Sequence, residues 1–292
     1  MSFFNVNVIT TIILITCSII LILLERKFPY RKGLPVFREG FWVDFVWYAL
    51  IQSYFLKILI FSYIILPIDV HFHLSALHIV TDWPIWCQVL FFLVTHDLYI
   101  YWFHRWQHNS KILWRTHEAH HSNKAIDWLA GTRSHVVEII INQTIEFAPI
   151  VILGADPVVV PIKALIDAVW GMYIHCNIDV HSGKLQRVIN GPEMHLWHHA
   201  NHNEVFFANF STKFAIWDWM FGTAYLPEHK PKEYGLYYEY PKDYFMQHAF
   251  SIKRFDEKKL RDKKSLRWYF NLRPNVISFF KKAINSGNKS AV

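Results

Sequence analysis

The sequence predicts an all-α integral membrane protein: a helical bundle of about four membrane helices or hairpin arms plus an N-terminal span, with a histidine-rich cap on its cytoplasmic side. Three observations predict it. Of the 292 residues, 53% are hydrophobic and 17% aromatic, and the mean hydropathy is positive, a composition shifted away from soluble domains. The apolar residues stand in long blocks instead of being scattered. Histidines gather at 104–121, just after a long apolar run, and again at 195–202.

Residues 8–24 are an apolar run with no basic segment before it and no small-residue cleavage site after it, which reads as an uncleaved membrane helix and not a signal peptide. Arg26, Lys27, Arg31, Lys32 and Arg38 follow, and this excess of cations assigns their loop to the cytoplasm and the N-terminus to the outside. Residues 41–68 cross back. Lys57 near the middle of that span costs roughly 2.5–3.5 kcal/mol unless it snorkels or faces protein or a polar cavity. Residues 69–82 carry no Lys or Arg, as suits an outside loop. His71, His73 and His78 lie there, across the membrane from the main clusters, and read as surface residues. Residues 83–103 return inward and deliver His104 and His108 to the cytoplasmic rim, with His96 and Asp97 two turns deeper. Asp97 in so apolar a run is costly if unpaired, which makes it a candidate partner for a ligand imidazole.

Residues 136–153 and 158–174 flank Gly154-Ala155-Asp156-Pro157, a turn signal, and predict an out-and-back helical hairpin with both ends cytoplasmic. Its arms are near the lower length limit for spanning, so it either crosses or stops short of the far side. Glu138, Asn142, Gln143 and Glu146 make the first arm polar on one side, as for packing against protein or a lined cavity. The second arm returns His175 to the rim. Residues 177–241 are polar and rich in loops, and a charged amphipathic helix is predicted after Phe250. With no repeat or flexible linker, the chain reads as one membrane-embedded domain, 1–250, and a tail, 251–292. The tail holds 12 Lys/Arg against 3 Asp/Glu, whereas the whole chain is only +7. Without helix-turn-helix or finger spacing nearby, it is expected against anionic lipid headgroups or in solvent, and no nucleic acid is implied. Cys17, Cys87 and Cys176 form no CxxC pattern, so neither a disulfide framework nor a thiolate zinc site is indicated.

In helical register His104 and His108 share one face, as do members of the set His117, His120 and His121 and of the set His195, His198 and His199. Neutral imidazole is the commonest metal ligand, and so many rings exceed one coordination sphere, which favours two metals close together. An all-nitrogen site with open positions suits Fe or Zn; of the two, iron has the redox range for O2 chemistry on an unactivated C–H bond. His117-Glu118-Ala119-His120-His121 also satisfies HExxH, in which His117 and His121 hold zinc and Glu118 is the general base of a membrane metalloprotease. That reading leaves at least five clustered histidines idle. A non-catalytic metal-binding or transport protein is the third reading.

The three ordered boxes, His104-Arg-Trp-Gln-His108, His117-Glu-Ala-His120-His121 and His195-Leu-Trp-His198-His199, resemble those of the fatty acid hydroxylase/sterol desaturase superfamily. So do the flanking DLYIYWFHRWQH, the HHS ending at Ser122 and the NF…IWDWMFGT stretch from Asn209, over roughly 91–226. The resemblance implies a membrane-bound oxidoreductase, a non-haem di-iron monooxygenase that hydroxylates or desaturates a fatty acyl, sterol, isoprenoid or ether lipid with O2. It implies as metal ligands the eight box histidines and His175 of HCN, with Asp97 and Glu118 as candidate supports behind them. A paired histidine four residues beyond His175 is replaced here by Asp179, which leaves His96, His181 and His202 open as substitutes. With no HPGG, GxGxxG or thiolate cluster in the chain, electrons are expected from an external reductase, ferredoxin or cytochrome.

Overall fold

The computed structural model describes residues 3–256 and 259; the amphipathic helix predicted beyond Phe250 and the basic tail lie almost wholly outside them. The chain divides after His248 into two units, and the first, 1–248, holds the membrane helices and the histidine boxes. All regular elements of that unit, among the described residues, are helical. Three are long and apolar enough to cross a membrane: α1 (Phe3–Lys27), α2 (Val43–Phe72) and α3 (Ile85–Asn109). The protein is thus a multi-pass membrane protein. The short α4 (Lys111–His121) follows α3 directly, and α5 (Val136–Ile152) and α6 (Val159–His175) form the hairpin. Two brief helices, α7 (Pro192–His198) and α8 (Ile216–Met220), punctuate the loops after it.

A lipid-facing helix must satisfy its own polar groups. In α1 the hydroxyls of Thr10, Thr11, Thr16 and Ser18 do so by donating to carbonyls one turn back, Val6, Asn7, Ile12 and Leu14, at 2.8–2.9 Å. Its end is tied down by Glu25, whose Oε1 accepts from the amides of Trp128 and Asn177, each at 2.7 Å. α2 widens to π-helical turns over Val43–Gln52 and Phe61–Ile65, the second just ahead of Pro67, which cannot donate to the carbonyl one turn back. Lys57 lies exposed on the outer surface of α2. Of the ways to lower its cost, snorkelling is the one compatible with this placement.

Arg38 differs from the other cations of the first loop. It is buried, 2.8 Å from Asp44 Oδ2 and 2.7 Å from Asp127 Oδ1, so it belongs to the interior. Arg26, Lys27, Arg31 and Lys32 remain as the exposed positive charge of that loop.

The α5–α6 hairpin does not stop short of the α2–α3 connection. Its turn packs on that connection, with Val80 donating to the Leu153 carbonyl at 3.1 Å and Thr81 Oγ1 to that of Gly154 at 2.6 Å. Gly154 has φ +70°, and a Cβ there would lie 2.8 Å from the Ser75 carbonyl oxygen, so the turn requires glycine. Below it Leu56, Ile60, Phe92, Phe147, Ile150 and Val159 form a core shared by α2, α3, α5 and α6. Because lipid is as apolar as such a core, close packing and interhelical hydrogen bonds hold it together. Tyr99 to Asn142 at 3.2 Å is one of the latter, and Asp156 N in the hairpin turn donates to Gln88 Oε1 of α3 at 2.9 Å. This packing fixes α3 beside α6, so the end of α3, α4 and the end of α6 meet at the opposite end of the bundle.

Candidate metal centre

All nine predicted ligands meet there, in two groups. His104, His108, His117, His121 and His198 form the first; His120, His175, His195 and His199 form the second; within each, the ring nitrogens lie within 4.8 Å of one another. The second and third boxes are each shared. His117 and His121, one turn apart on α4, go to the first group and His120 to the second; His195 and His199 go to the second group and His198 to the first. Two offset stripes on a short helix thus serve two adjacent centres, which is what i, i+3, i+4 spacing does geometrically.

The rings turn their Nε2 atoms inward. His104 and His117 approach Nε2 to Nε2 at 2.9 Å, His175 and His195 at 3.0 Å, and His175 and His199 at 3.1 Å. His108, His121 and His198 have buried Nε2 atoms with no partner among the described residues. Their other nitrogens explain the orientation. A carbonyl can only accept, so Nδ1–H donates: from His104 to Phe210 at 2.8 Å, His108 to Phe206 at 2.7 Å and His198 to Ala208 at 2.7 Å. His120 donates to Arg133 at 3.1 Å and His175 to Gly171 at 2.7 Å, while His117 Nδ1 meets the Glu138 carboxylate at 2.9 Å. Each contact leaves the Nε2 lone pair free for a cation. Burial holds His117, His121, His195, His198 and His199 well below the ordinary imidazole range and lowers His120 too, so these rings are neutral. Convergent neutral lone pairs, on unpartnered buried nitrogens in the first group and on Nε2 atoms that face one another at 3.0–3.3 Å in the second, fit a metal in each group.

The supports of these rings escaped the sequence reading. Glu138 was legible as one of several polar residues on the first hairpin arm, with nothing to link it to His117. The carbonyls of Phe206, Ala208 and Phe210 lie on a loop pinned by Asp218, which accepts from the amides of Phe210 and Ser211 at 2.9 Å each and from Thr223 Oγ1 at 2.7 Å. Asn209, at φ 57°, braces the same loop through the Met194 and Tyr225 carbonyls. Arg133, whose carbonyl orients His120, donates to Asp44 Oδ1 at 2.6 Å and to Ser122 Oγ at 2.8 Å. Gly131 leaves room for the second group: a Cβ there would lie 2.6 Å from His175 Nδ1.

The expected role of Asp97 as an imidazole partner is corrected. Its carboxylate accepts from Thr212 Oγ1 at 2.6 Å, Lys213 N at 3.0 Å, Phe214 N at 2.9 Å and Trp217 Nε1 at 3.1 Å. It holds the loop after Phe210 and reaches the histidines only through it. Glu118 is buried but does not join either group. Of the residues left open, His181 is exposed and sits beside Asp179 and Glu193, and His202 is exposed. His96 sits apart from both groups, with Glu146 and Asp167.

A cavity of about 270 Å³ adjoins the centre. His104, His117, His120, His175 and His195 line one part, and Ile100, Phe103, Ile139, Trp170 and Ile174 supply apolar wall. That volume is below the roughly 300–1,000 Å³ of pockets that enclose whole small ligands, so it suits part of a long molecule.

Residues 89–223 match the family model described as fatty acid hydroxylase. The chain is 31% identical to the ornithine lipid hydroxylase OlsE of Rhizobium tropici over 63% of this chain and 56% of that protein. It is 30% identical to the alkylglycerol monooxygenase of Danio rerio over 57% of this chain and 36% of that one, and 28% identical to methylsterol monooxygenase 1 of Rattus norvegicus over 68% and 67%. It therefore spans about half or less of the first two relatives' length. No solved structure matches it significantly.

Proposed function

Residues 89–223 match the fatty acid hydroxylase family model, and from that match we propose that this chain is a membrane-bound non-haem di-iron oxygenase acting on a lipid. The observation that carries the reading is the pair of histidine groups with inward, neutral Nε2 atoms. The first group would hold one iron through His104, His108, His117, His121 and His198, the second another through His120, His175, His195 and His199. Iron bound there supplies the redox range that O2 chemistry on an unactivated C–H bond requires. The chain's own residues do the rest. Glu138 and the loop carbonyls lock ring orientation, which sharpens metal affinity and geometry. Phe103, Ile139, Trp170 and Ile174 exclude water from the carbon to be oxidised. The relatives described above are hydroxylases and monooxygenases named for lipids, which supports a lipid substrate; hydroxylation and desaturation are both compatible with this site. Electrons come from an external donor.

Elemental analysis of protein purified without chelator from iron-replete cells should return about two irons per chain. Stoichiometric zinc without iron would sink the oxygenase reading and revive the HExxH one.

The histidine centre is on the cytoplasmic side, and α5 and α6 are membrane-embedded. Four exposed cations in the last turn of α1 and the loop after it, against none in 69–82, support this orientation. Alkaline phosphatase fused after Lys289 should be inactive and a cytoplasm-requiring reporter at the same site active. The opposite pattern refutes the orientation.

A further inference from the structure

A third convergence of side chains lies eight residues before His104 on α3. Lys163 Nζ, fully buried, contacts Glu146 Oε1 at 2.9 Å, Asp167 Oδ2 at 2.6 Å and His96 Nδ1 at 3.2 Å. Those three acceptors are close enough together to hold a metal ion, but the ammonium takes that place. An ammonium has three protons and no lone pair, so each contact is a donation by Lys163. His96 Nδ1 is therefore an acceptor, and the proton of the neutral ring is on Nε2. That Nε2 is buried and has no partner among the described residues, although its ring lines the cavity that also exposes the metal centre. Such an unpaired buried donor is costly to the protein by itself and calls for an acceptor.

The surrounding charge limits which acceptor. Lys163 and Lys213 are the cations here, and Lys213 Nζ is 2.6 Å from Asp167 Oδ1 and 3.5 Å from Asp97 Oδ1. Three carboxylates, Glu146, Asp167 and Asp97, face two ammonium groups. Among the described residues no cation is left there to receive a carboxylate or phosphate. We propose that this end of the cavity is a recognition site for an uncharged oxygen of the lipid, a hydroxyl, ether or carbonyl, which accepts from His96 Nε2–H. The proposal rests on the reading of the chain as a lipid oxygenase and narrows its substrate. Eight residues of helix are about 12 Å of rise, so the recognised oxygen is several bonds from the carbon held at the histidines.

The test is equilibrium binding of radiolabelled hexadecan-1-ol, hexadecane and palmitate to the metal-loaded protein in micelles, corrected for partition into detergent. The wild type should bind hexadecan-1-ol roughly 3–10-fold more tightly than hexadecane, the range of one neutral hydrogen bond, and palmitate no more tightly than hexadecane. His96→Phe should abolish the preference for hexadecan-1-ol over hexadecane. Should that variant fail to accumulate, Nε2-methylhistidine introduced at position 96 decides, because it keeps the acceptor for Lys163 and removes only the donor. His96→Gln, whose amide can accept and donate, should retain the preference. A preference that survives the methylated ring, is missing in the wild type or favours palmitate overturns the proposal. Iron content measured on the same samples separates the two readings: two irons without a preference strikes only this subsite, and zinc with the preference intact strikes only the oxygenase assignment.

Discussion

His120→Ala should lose all lipid oxidation and fall from two irons per chain to about one, whereas Glu118→Gln should keep measurable activity and both metals. His120 belongs to the four-histidine group, where its Nε2 is 3.3 Å from that of His175 and its Nδ1 is held by the Arg133 carbonyl. Removing it leaves three imidazoles and, among the described residues, none positioned to substitute, since His181 and His202 are exposed on the loops. Glu118 lies next to a ligand in sequence but in neither group, and changes behind a ligand shell typically cost about 10–100-fold in affinity or activity. Both variants should insert normally, because the spans that drive insertion are untouched. If Glu118 were instead the general base of a zinc protease, the ranking would invert, with Glu118→Gln dead and zinc-bound and His120→Ala active. Lipid turnover and metal content measured on the pair decide between these patterns.

The ligands were legible before the structure because a helix brings i, i+3 and i+4 together by itself, so His117, His120 and His121 declare a common face in one dimension. The hairpin was legible for a similar reason: Gly154-Ala155-Asp156-Pro157 interrupts two apolar runs of similar length. What fixes the ligands was not. Glu138 is 21 residues from His117, and the Phe210 carbonyl is 106 residues from His104; nothing local marks a backbone carbonyl as a partner. The division of nine rings into five and four follows from the mutual approach of α4 and α7, a tertiary fact. Asp97 shows how the same distance misleads. A buried carboxylate about two turns from a ligand suggested an imidazole partner, and the donors it has are the backbone and side chains of 212–217.

Those contacts set the second large effect, that of Asp97→Ala. The carboxylate is fully buried and accepts four hydrogen bonds from one loop, with Lys213 Nζ also 3.5 Å away. Deleting it leaves four donors without an acceptor and Lys213 with Asp167 as its remaining ionic partner. Removing one member of such a buried charged set costs about 3–5 kcal/mol, which for a chain of this size lowers the melting temperature by on the order of 10 °C. The damage should also be local to one metal. Three of the five rings of the first group, His104, His108 and His198, are oriented by carbonyls of 206–210, immediately before the loop that Asp97 holds. The second group takes its known anchors from Arg133 and Gly171, on other elements. Asp97→Ala is therefore expected to lose iron from the five-histidine group first. His120→Ala empties the four-histidine group, so the double variant should retain almost none. A Lys213→Met control leaves the four hydrogen bonds to Asp97 in place and should retain more iron than Asp97→Ala. Two irons in Asp97→Ala, with a melting temperature within about 2 °C of wild type, would show that the loop holds its shape without this carboxylate.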